Sequence, residues 1–123
     1  MNFNIKDFKR FEKQIILKKV GINGQKKLFN AKVLIVGMGG LGCPLLSYLA
    51  ASGVGTIGIV DHDKVELGNL NRQTLFTTSD IGKFKVNQAK YKIAKINRKI
   101  NVETFKKKIS FKNIKSIFKN FDI

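Results

Sequence analysis

The chain has 123 residues, 43% of them apolar, and a formal net charge of +16 from 24 Lys and Arg against 8 Asp and Glu. This length allows one domain and is short for a complete doubly wound sheet. The chain shows neither an apolar run near the roughly 18 residues that span a bilayer nor an N-terminal signal peptide, so we expect a cytoplasmic protein without a membrane partner. The single cysteine, Cys43, excludes an internal disulfide and a cysteine-based zinc site.

The positive charge allows two interpretations. It can mark a surface that binds nucleic acid or acidic proteins, or it can reflect a general enrichment in lysine. The lysines are spread over the whole chain, whereas arginine, which forms bidentate contacts with phosphate, occurs only at Arg10, Arg72 and Arg98. Tryptophan, which is suited to base stacking, does not occur. The sequence therefore argues against nucleic acid as a partner.

Two helices are predicted ahead of the first strand. Between Ile5 and Val20 apolar residues recur at spacings of three and four, and Gly21 is expected to end this helix; the apolar positions are Phe8, Phe11, Ile15 and Ile16. A shorter helix is predicted from Gly24 to about Asn30. We expect residues 1–30 to form an N-terminal helical extension and residues 31–123 to form a Rossmann-like βαβ core within a single domain.

The middle of the chain predicts a strand, a glycine turn and a helix. An apolar run without polar alternation, Val33 to Val36, is typical of a strand covered on both faces in a parallel sheet. Glycines follow in the G-x-G-x-x-G pattern, at Gly37, Gly39 and Gly42. The first allows a tight turn, the second lets the backbone approach a phosphate, and the third lets helix and strand pack closely. The N-terminus of the helix then offers free N–H groups to an anion.

An acidic residue follows where a ribose hydroxyl needs an acceptor. The helix after the turn has Pro44 in its first turn and is expected to end at Ser52-Gly53, with a packing face of Leu45, Leu46, Leu49 and Ala50. A second strand runs to Val60, and Asp61 stands 19 residues after Gly42, as the dinucleotide-binding fingerprint requires. These features favour a nucleotide-binding unit over an ordinary strand–turn–helix corner.

The second half of the chain completes the predicted sheet. Residues 67–73 show no clear period and are predicted to form a loop at the carboxyl edge of the sheet, where open α/β folds bind ligands. Ser79-Asp80 is expected to cap a helix that runs to Asn97, followed by a strand at 101–105 and a short helix at 111–118. Residues 121–123 are either the opening of a fourth strand or a frayed tail. The predicted fold is α/β, a Rossmann-like parallel sheet with helices on both faces, incomplete as a domain.

Three motifs together resemble the ThiF/MoeB/HesA family, bacterial relatives of the ubiquitin-activating enzymes. They are the glycine turn with Cys43-Pro44, Asp61-His62-Asp63, and Asn69-Leu70-Asn71-Arg72-Gln73. The resemblance covers nearly the whole chain and includes Arg10-Phe11-Glu12-Lys13-Gln14, Gly24-Gln25 and Lys85. It implies a dimeric enzyme that binds ATP with magnesium and adenylates the C-terminal glycine of a ubiquitin-like sulfur-carrier protein, releasing pyrophosphate.

The resemblance also implies roles for single residues. Gly40 lets the backbone approach the ATP phosphates, Asp61 accepts from the ribose, and Asn69, Arg72 and Lys85 contact the phosphates. Arg72 and Lys85 are the implied catalytic cations, because a carboxylate attacking the α-phosphate brings anions together. Simpler interpretations remain for each: a strand-end acid for Asp61, and solvated surface cations for Arg72 and Lys85. His62 is expected to be an exposed loop residue and Cys43 a core residue.

Three departures from the family pattern are visible in the sequence. Lys13 stands where the family has an arginine that reaches the ATP of the neighbouring subunit, and lysine keeps the charge but loses the bidentate fork. Gly68 replaces the usual serine. The Asp-x-x-Asp-Asn motif whose aspartate holds magnesium, and the zinc-binding Cys-x-x-Cys pairs, do not occur within the 123 residues. No residue of this chain is therefore assigned to a metal, and the magnesium ligand is expected beyond Ile123.

Two other functions stay open at this point. The chain can be a non-catalytic module that dimerises with a full-length homologue, since the helix with Arg10 and Lys13 can still lend cations to a partner. It can also be a small NAD-binding protein, as the glycine fingerprint alone would suggest. The NAD alternative leaves residues 69–73 without a role, and the chain offers no acid–base pair for hydride chemistry.

Overall fold

A computed structural model describes residues 3–123. In this range the chain forms five α-helices and three strands: α1 (Ile5–Ile15), α2 (Gly21–Asn30), β1 (Lys32–Val36), α3 (Gly42–Ser52), β2 (Thr56–Val60), α4 (Lys85–Ile96), β3 (Asn101–Phe105) and α5 (Ile114–Phe118). The strands form one parallel sheet in the order β1-β2-β3. The predicted α/β fold with a parallel sheet and two preceding helices is confirmed. Of the helices described, none is long and apolar enough to cross a membrane.

The core lies between the sheet and helices α3 and α4. Each strand sends alternate side chains towards these helices, among them Ile35 of β1 and the fully buried Ile57 and Ile59 of β2. Leu46 and Ala50 of α3 and Val86, Ala89 and Ile93 of α4 fill the opposite side of the same cluster. Leu45, predicted to pack inward, is instead 48% exposed, because it lies on the outer side of α3. The parallel arrangement places the carboxyl ends of all three strands at one edge.

The C-terminal segment covers only part of the other face of the sheet: Val36 of β1 is 55% exposed, so the prediction that this strand is covered on both faces is wrong at its end. A side chain at Gly58 would clash with the ring of Phe121, whose Cζ lies 2.3 Å from the position of an added Cβ. The same ring meets Phe105 of β3 edge-on, with centroids 6.2 Å apart. Phe118 of α5 and Phe121 line a hollow beside β1. The glycine in β2 thus makes room for an aromatic ring across the strands.

Residues 121–123 run along the free edge of β1. The Asp122 N–H donates to the Lys32 carbonyl at 2.8 Å, and the Leu34 N–H donates to an Ile123 oxygen at the same distance. The Asp122 carboxylate also accepts from the Lys32 N–H at 2.9 Å. The segment has no regular strand geometry. Its backbone bonds nevertheless support the fourth-strand interpretation over the frayed tail, and they place the segment on the side of β1 opposite β2.

The first helix is shorter than its apolar pattern predicted. It ends at Ile15, and residues 16–20 form turns before Gly21, with φ of +57°, begins α2. The prediction that Gly21 ends α1 is therefore wrong, and α2 begins three residues before the predicted start. Phe8 and Ile16 are 44% and 64% exposed, so half of the apolar pattern does not mark a buried face. Among the four predicted apolar positions, only Phe11 is fully buried.

The predicted helix cap at Ser79-Asp80 is also wrong. Residues 78–80 form a single 3₁₀ turn, and α4 begins only at Lys85. The Asp80 carboxylate closes its own turn by accepting from the Thr77 N–H at 2.7 Å, and it forms an ion pair with Lys92 from the middle of α4. The capping pattern is real, but it closes a separate turn that is held against the side of α4.

A glutamine pair fixes the N-terminal helices to the end of α3. Gln25 is fully buried, and its Nε2 donates to the Ser52 carbonyl at 2.8 Å. Gln14 Nε2 donates to the same carbonyl at 3.0 Å and to Gln25 Oε1 at 2.8 Å. Ser52 is the last residue of α3, whose terminal carbonyls need partners outside the helix. The two glutamines supply them and so position α1 and α2 on the core.

Two buried carboxylates make the fold sensitive to acid. Both oxygens of Asp7 accept from Lys99 Nζ at 2.7 Å, and this bond lowers the pKa of Asp7 against the opposing effect of burial. Burial would raise the pKa of Asp80, but the bonds from Lys92 and Thr77 outweigh it and the pKa is lowered. In acid the unfolded chain therefore binds more protons at these two carboxyls than the folded chain does. The stabilisation from the two ionised carboxylates is complete above their ordinary pKa of 3.8, and it is lost as the pH falls through their lower pKa values in the folded state.

We expect these two groups to leave the midpoint temperature of thermal unfolding unchanged between about pH 7 and 5. Below about pH 4 the midpoint temperature should fall. Asp7→Asn removes one of the two titrating groups, so its midpoint is lower at neutral pH and declines less steeply in acid. Glu12→Gln, a change at an exposed acid on the same helix, is the matched control. Thermal unfolding followed by circular dichroism from pH 7 to 2 measures both. Parallel pH profiles for wild type and Asp7→Asn would contradict the assignment.

Candidate nucleotide-binding site

The glycine turn closes tightly between β1 and α3. Gly37 follows the last residue of β1, has φ of +97°, and donates its N–H to the Val60 carbonyl of β2 at 2.7 Å. Gly42 opens α3, and an added Cβ there would lie 1.9 Å from the Gly37 carbonyl oxygen. Residues with side chains rarely adopt the first conformation, and the second position has no space for one. The outer glycines of the fingerprint are thus required by the turn itself.

The inner part of the turn faces open space. An added Cβ at Gly39 would meet no described atom within 4 Å. At Gly40 the three nearest atoms would all belong to the aliphatic part of Arg72, with Cγ at 3.4 Å and Cδ at 3.6 Å. Within the described residues, no side chain caps the N-terminus of α3. The N-terminal amides and the helix dipole together form a position that favours an anion.

Asp61 ties the end of β2 to this turn. One of its carboxylate oxygens accepts from the Met38 N–H at 2.7 Å, and the other accepts from the Asp63 N–H at 2.8 Å. Asp61 is half-buried, so part of its carboxylate faces solvent beside the turn. Each carboxylate oxygen has a second lone pair, which leaves acceptor capacity for a hydroxyl group. The residue therefore shapes the turn and can also contact a ligand in front of it.

Lys85 is a buried cation at the same edge of the sheet. It is the first residue of α4, its side chain is 7% exposed, and its Nζ lies 3.9 Å from a carboxylate oxygen of Asp63. Asp63 is itself 56% exposed, so this pairing is long and partly solvated. A buried lysine without a close counter-ion is costly in free energy, because the charge has lost water and gained little in return. An anionic ligand would supply the missing partner.

Residues 67–73 carry Asn69 and Arg72 to the mouth of the turn. The loop contains one 3₁₀ turn, Leu67–Asn69, in which Asn69 Oδ1 accepts from the Glu66 N–H at 3.0 Å. Arg72 is exposed, and its Nη1 donates to the Gly68 carbonyl at 3.0 Å and to Asn71 Oδ1 at 3.1 Å. Because the stem of Arg72 lies against Gly40, the loop and the turn form one continuous site.

The family of this chain follows from its similarity to known sequences. Residues 11–123 match the sequence model of the ThiF family. The chain belongs to the ThiF family. Among curated relatives, the Adenylyltransferase and sulfurtransferase UBA4 of Vanderwaltozyma polyspora is 45% identical over 120 residues, which covers 97% of this chain and 28% of the relative. The Adenylyltransferase and sulfurtransferase MOCS3 of Culex quinquefasciatus is 46% identical over 120 residues, covering 98% of this chain and 27% of the relative.

A solved structure of a further relative has the same fold. Crystals of E. coli MccB with succinimide contain a chain that matches 94% of this one with a TM-score of 0.81 and 34% identity. The match covers 35% of the MccB chain. This ThiF-family chain therefore spans about a quarter to a third of the lengths of these relatives.

The predicted site residues of this ThiF-family chain fall into two groups. The four glycines, Asp61, Asn69, Arg72 and Lys85 lie around the carboxyl edge of the sheet, on the turn, the loop and the start of α4. Lys13 lies in the last turn of α1 and is exposed. In residues 3–123, no hydrogen bond or ion pair joins the Lys13 side chain to the turn. Its role towards a neighbouring subunit stays a prediction.

Cys43 is part of the core rather than of the reactive surface. The residue is 1% exposed, and its Sγ donates to the Met38 carbonyl at 3.6 Å. Burial raises the pKa of the thiol to about 11, despite the lowering effects of a backbone hydrogen bond and of Lys85. A thiol with this pKa is protonated at neutral pH and is a poor nucleophile. The prediction of a core cysteine agrees with this position, and the prediction of an exposed His62 agrees with its 53% exposed side chain.

One polar side chain of the loop is buried, which the sequence did not predict. Gln73 is 4% exposed, and its Oε1 has no hydrogen-bond partner within the described residues. A buried acceptor without a donor is uncommon and costly. The sequence placed Gln73 in a polar loop, and no period of the pattern marks it as buried. It directly follows Arg72 in the loop.

Proposed function

We propose that this chain binds ATP and forms the nucleotide-binding part of an enzyme that adenylates a ubiquitin-like sulfur-carrier protein at its C-terminal glycine. The observation that supports this most strongly is the shared edge: an uncapped glycine turn, Asp61, Arg72 and Lys85 lie at the carboxyl end of one parallel sheet in a ThiF-family chain. The names of the curated relatives, which pair adenylyltransferase with sulfurtransferase, support the same activity. We also propose the domain division, with residues 1–30 as the helical extension and 31–123 as the nucleotide-binding core.

The arrangement suits nucleotide binding step by step. The open space at Gly39 allows a phosphate to approach the backbone, where the amides of α3 can donate to its oxygens. Asp61 can accept from a ribose hydroxyl with the lone pairs that Met38 and Asp63 leave free. Lys85 is held in place by burial, so its charge is fixed without the entropy cost of ordering a flexible side chain.

The reaction requires cations more than it requires a protein nucleophile. The carrier's carboxylate attacks the α-phosphorus of ATP, a phosphorus–oxygen bond to the carrier forms, and the bond to pyrophosphate breaks. Negative charge increases on the oxygens around the phosphorus and on the departing pyrophosphate. We assign Arg72 and Lys85 to this charge, because fixed cations in a partly dry site stabilise a developing charge strongly. Asn69 would donate its amide hydrogens to the phosphates.

Magnesium does not fit the residues described here. Asp61, His62 and Asp63 place three ligand atoms within 4.8 Å of one another, and their carboxylate oxygens suit a hard cation. Both oxygens of Asp61, however, already accept backbone N–H groups that shape the turn, and Asp63 faces Lys85. A metal bound there would compete with the ribose for the free lone pairs of Asp61 and with Lys85 for Asp63. We therefore propose no role for these three residues in metal binding and derive no step through the ion.

A dimer is the second part of the proposal. Three exposed apolar side chains, Leu41, Leu45 and Tyr48, lie one turn apart on the outer side of α3 and its cap. Such a stripe is a suitable contact for a second copy, and the nearby turn would then lie close to the subunit boundary. Lys13 can contribute to a neighbouring nucleotide only in such an assembly.

Isothermal titration of the purified chain with ATP and with NAD tests the proposal. We expect ATP to bind and NAD to bind at least about tenfold more weakly. Arg72→Ala should weaken ATP about 10- to 100-fold, since a hydrogen bond to a charged group contributes about 1.5–3 kcal/mol. Lys119→Ala, a change at an exposed cation beside the amino end of β1 and away from the turn, is the matched control. Equal affinity for NAD, or full affinity in Arg72→Ala, would contradict the nucleotide assignment.

The same samples test the other parts of the proposal. ATP–pyrophosphate exchange with a ubiquitin-like carrier, compared with a carrier lacking its last glycine, measures adenylation; exchange that does not depend on that glycine would contradict the substrate. Sedimentation velocity at micromolar concentration measures association, and a monomer at all concentrations would contradict the dimer.

A further inference from the structure

A basic hollow lies at the far end of α4 from the glycine turn. It has a volume of about 610 Å³ and is formed by α1, the end of α4 and the residues that lead into β3. Lys85 is the first residue of α4, and the hollow surrounds the other end of this helix. The two ends of this 12-residue helix are about 16 Å apart, at a rise of about 1.5 Å per residue. Six cationic residues line it: Lys6, Lys9, Arg10, Lys95, Arg98 and Lys99.

The hollow contains little negative charge to balance these cations. Asp7 is the one acidic residue among the lining residues, and it is 4% exposed. Both of its oxygens are engaged by Lys99, and one also accepts from the Asn4 N–H at 3.0 Å. One cation is therefore neutralised and five are left. Like charges held this close repel one another, and an anion in the hollow would relieve the repulsion.

Two polar side chains, Arg10 and Asn97, lie beside the end of α4 in the hollow. Arg10 Nη1 donates to the Ile96 carbonyl at 3.0 Å, which offsets the partial negative charge at the end of α4. Asn97, the next residue, is 3% exposed, and its Nδ2 has no hydrogen-bond partner within the described residues. The Nδ2 atom is shielded from solvent, so the exposed cations rather than Asn97 would contact an anion in the hollow.

An exposed aromatic ring lies beside one of these cations, Lys95, just outside the residues that line the hollow. Tyr91 is 59% exposed and lies one helical turn before Lys95 on α4. Lys95 Nζ lies 4.4 Å from the centre of the Tyr91 ring. Nucleobases stack on such rings, and each stacked base contributes about 1–3 kcal/mol. An acidic peptide would use the cations but would gain little from the ring.

We propose that this hollow binds a single-stranded nucleic acid, with phosphates on the basic residues and a base on Tyr91. The site is separate from the nucleotide site and does not depend on the proposed adenylation. The fold brings together α1 and the end of α4, so cations that are more than 80 residues apart in sequence line one surface, as the Arg10–Ile96 bond shows. The two natural sources of such a strand are RNA and DNA, which share the phosphate and base chemistry.

Fluorescence anisotropy with labelled 12-nucleotide RNA and DNA strands of mixed sequence tests the proposal on the intact chain. We expect the logarithm of the affinity to fall with the logarithm of the salt concentration with a slope of about −2 to −3, since each neutralised phosphate of a single strand contributes about −0.7. Lys95→Glu with Arg98→Glu should raise Kd at 50 mM salt at least about tenfold and flatten the slope by about 1. Tyr91→Ala should raise Kd about tenfold, and Tyr91→Phe should not.

The matched control separates the hollow from the overall charge. Lys107→Glu with Lys112→Glu removes the same charge from exposed residues that do not line the hollow. A change in Kd of less than about threefold in this control supports the site. Equal losses in both double variants, or equal competition by polyglutamate, would overturn it, as would a flat salt dependence. Far-ultraviolet circular dichroism confirms that each variant is folded, and the ratio of RNA to DNA affinity identifies the source.

Discussion

Lys85→Met is expected to weaken ATP binding about 10- to 100-fold without lowering the free energy of unfolding. The substitution keeps the length of a side chain that is 7% exposed and removes a charge whose nearest carboxylate oxygen is 3.9 Å away. Burying a thioether costs less than burying an incompletely paired ammonium, so the folded state is equally stable or gains up to about 1 kcal/mol. The phosphates lose their best-placed cation, so affinity falls.

Titration calorimetry and urea unfolding of the same samples measure these opposite effects. Lys83→Met, a change at an exposed lysine two residues earlier, is the matched control and should leave ATP binding within about twofold. A variant that loses both binding and stability would mean that Lys85 acts through the fold. Full affinity in Lys85→Met would contradict its assignment to the phosphates.

Two alanine substitutions in the glycine turn are expected to act in different ways. Gly42→Ala should destabilise the protein by about 3 kcal/mol, because the added methyl group would lie 1.9 Å from the Gly37 carbonyl oxygen and the turn would have to open. The expected loss of stability is opposite to the effect of helix propensity, which alone would favour alanine over glycine in α3 by about 1 kcal/mol. Gly39→Ala should leave stability unchanged, since its methyl group meets no described atom within 4 Å, but should weaken ATP at least about tenfold.

Comparing Gly42→Ala with Gly39→Ala distinguishes a glycine that the folded turn requires from a glycine that leaves room for the ligand. Thermal unfolding of both variants without ligand, followed by titration of Gly39→Ala with ATP, gives the comparison. Gly68→Ala is the control, because its added methyl group also meets no described atom within 4 Å and lies on the loop rather than in the turn. If Gly39→Ala binds ATP as wild type does, the open space in front of the turn is not where the phosphates lie.

The predicted βαβ unit was accurate because several physical signals coincided. The apolar run of β1, the glycine pattern and the Ser52-Gly53 helix end all place boundaries within a few residues, and Gly53 does adopt the left-handed conformation that ends α3, with φ of +90°. Buried parallel strands require continuous apolar runs, which few other elements show. The path of the backbone around the turn could therefore be predicted from sequence.

The wrong predictions concern segments whose local sequence pattern does not agree with the tertiary contacts that they make. The apolar spacing of α1 continued to Ile16, yet Ile16 is 64% exposed and the chain turns before it can pack. Asp80 has the sequence of a helix cap but closes an isolated turn, since its partner Lys92 comes from the side of α4. Periodicity cannot show which tertiary partner a residue finds.

The roles of the site residues stay a prediction, and the contacts among these residues could not be predicted from the sequence. The sequence placed Arg72 in a loop near the turn, but only the structure shows its stem against Gly40 and the buried position of Lys85. The lysines looked evenly spread along the chain, and folding nevertheless gathers six cations around one hollow. Proximity in space, which a linear pattern does not contain, made the difference.

The covering of the second sheet face has a consequence for how this chain folds. Lys32 pairs with Asp122, 90 residues later, and the Phe121 ring reaches Gly58 across the sheet. Contacts this distant in sequence form late, because the intervening chain must lose its freedom before they can contribute. During synthesis, β1 and β2 leave the ribosome well before Phe121 does, so one face of the sheet stays open to solvent or to a chaperone until the segment after α5 arrives.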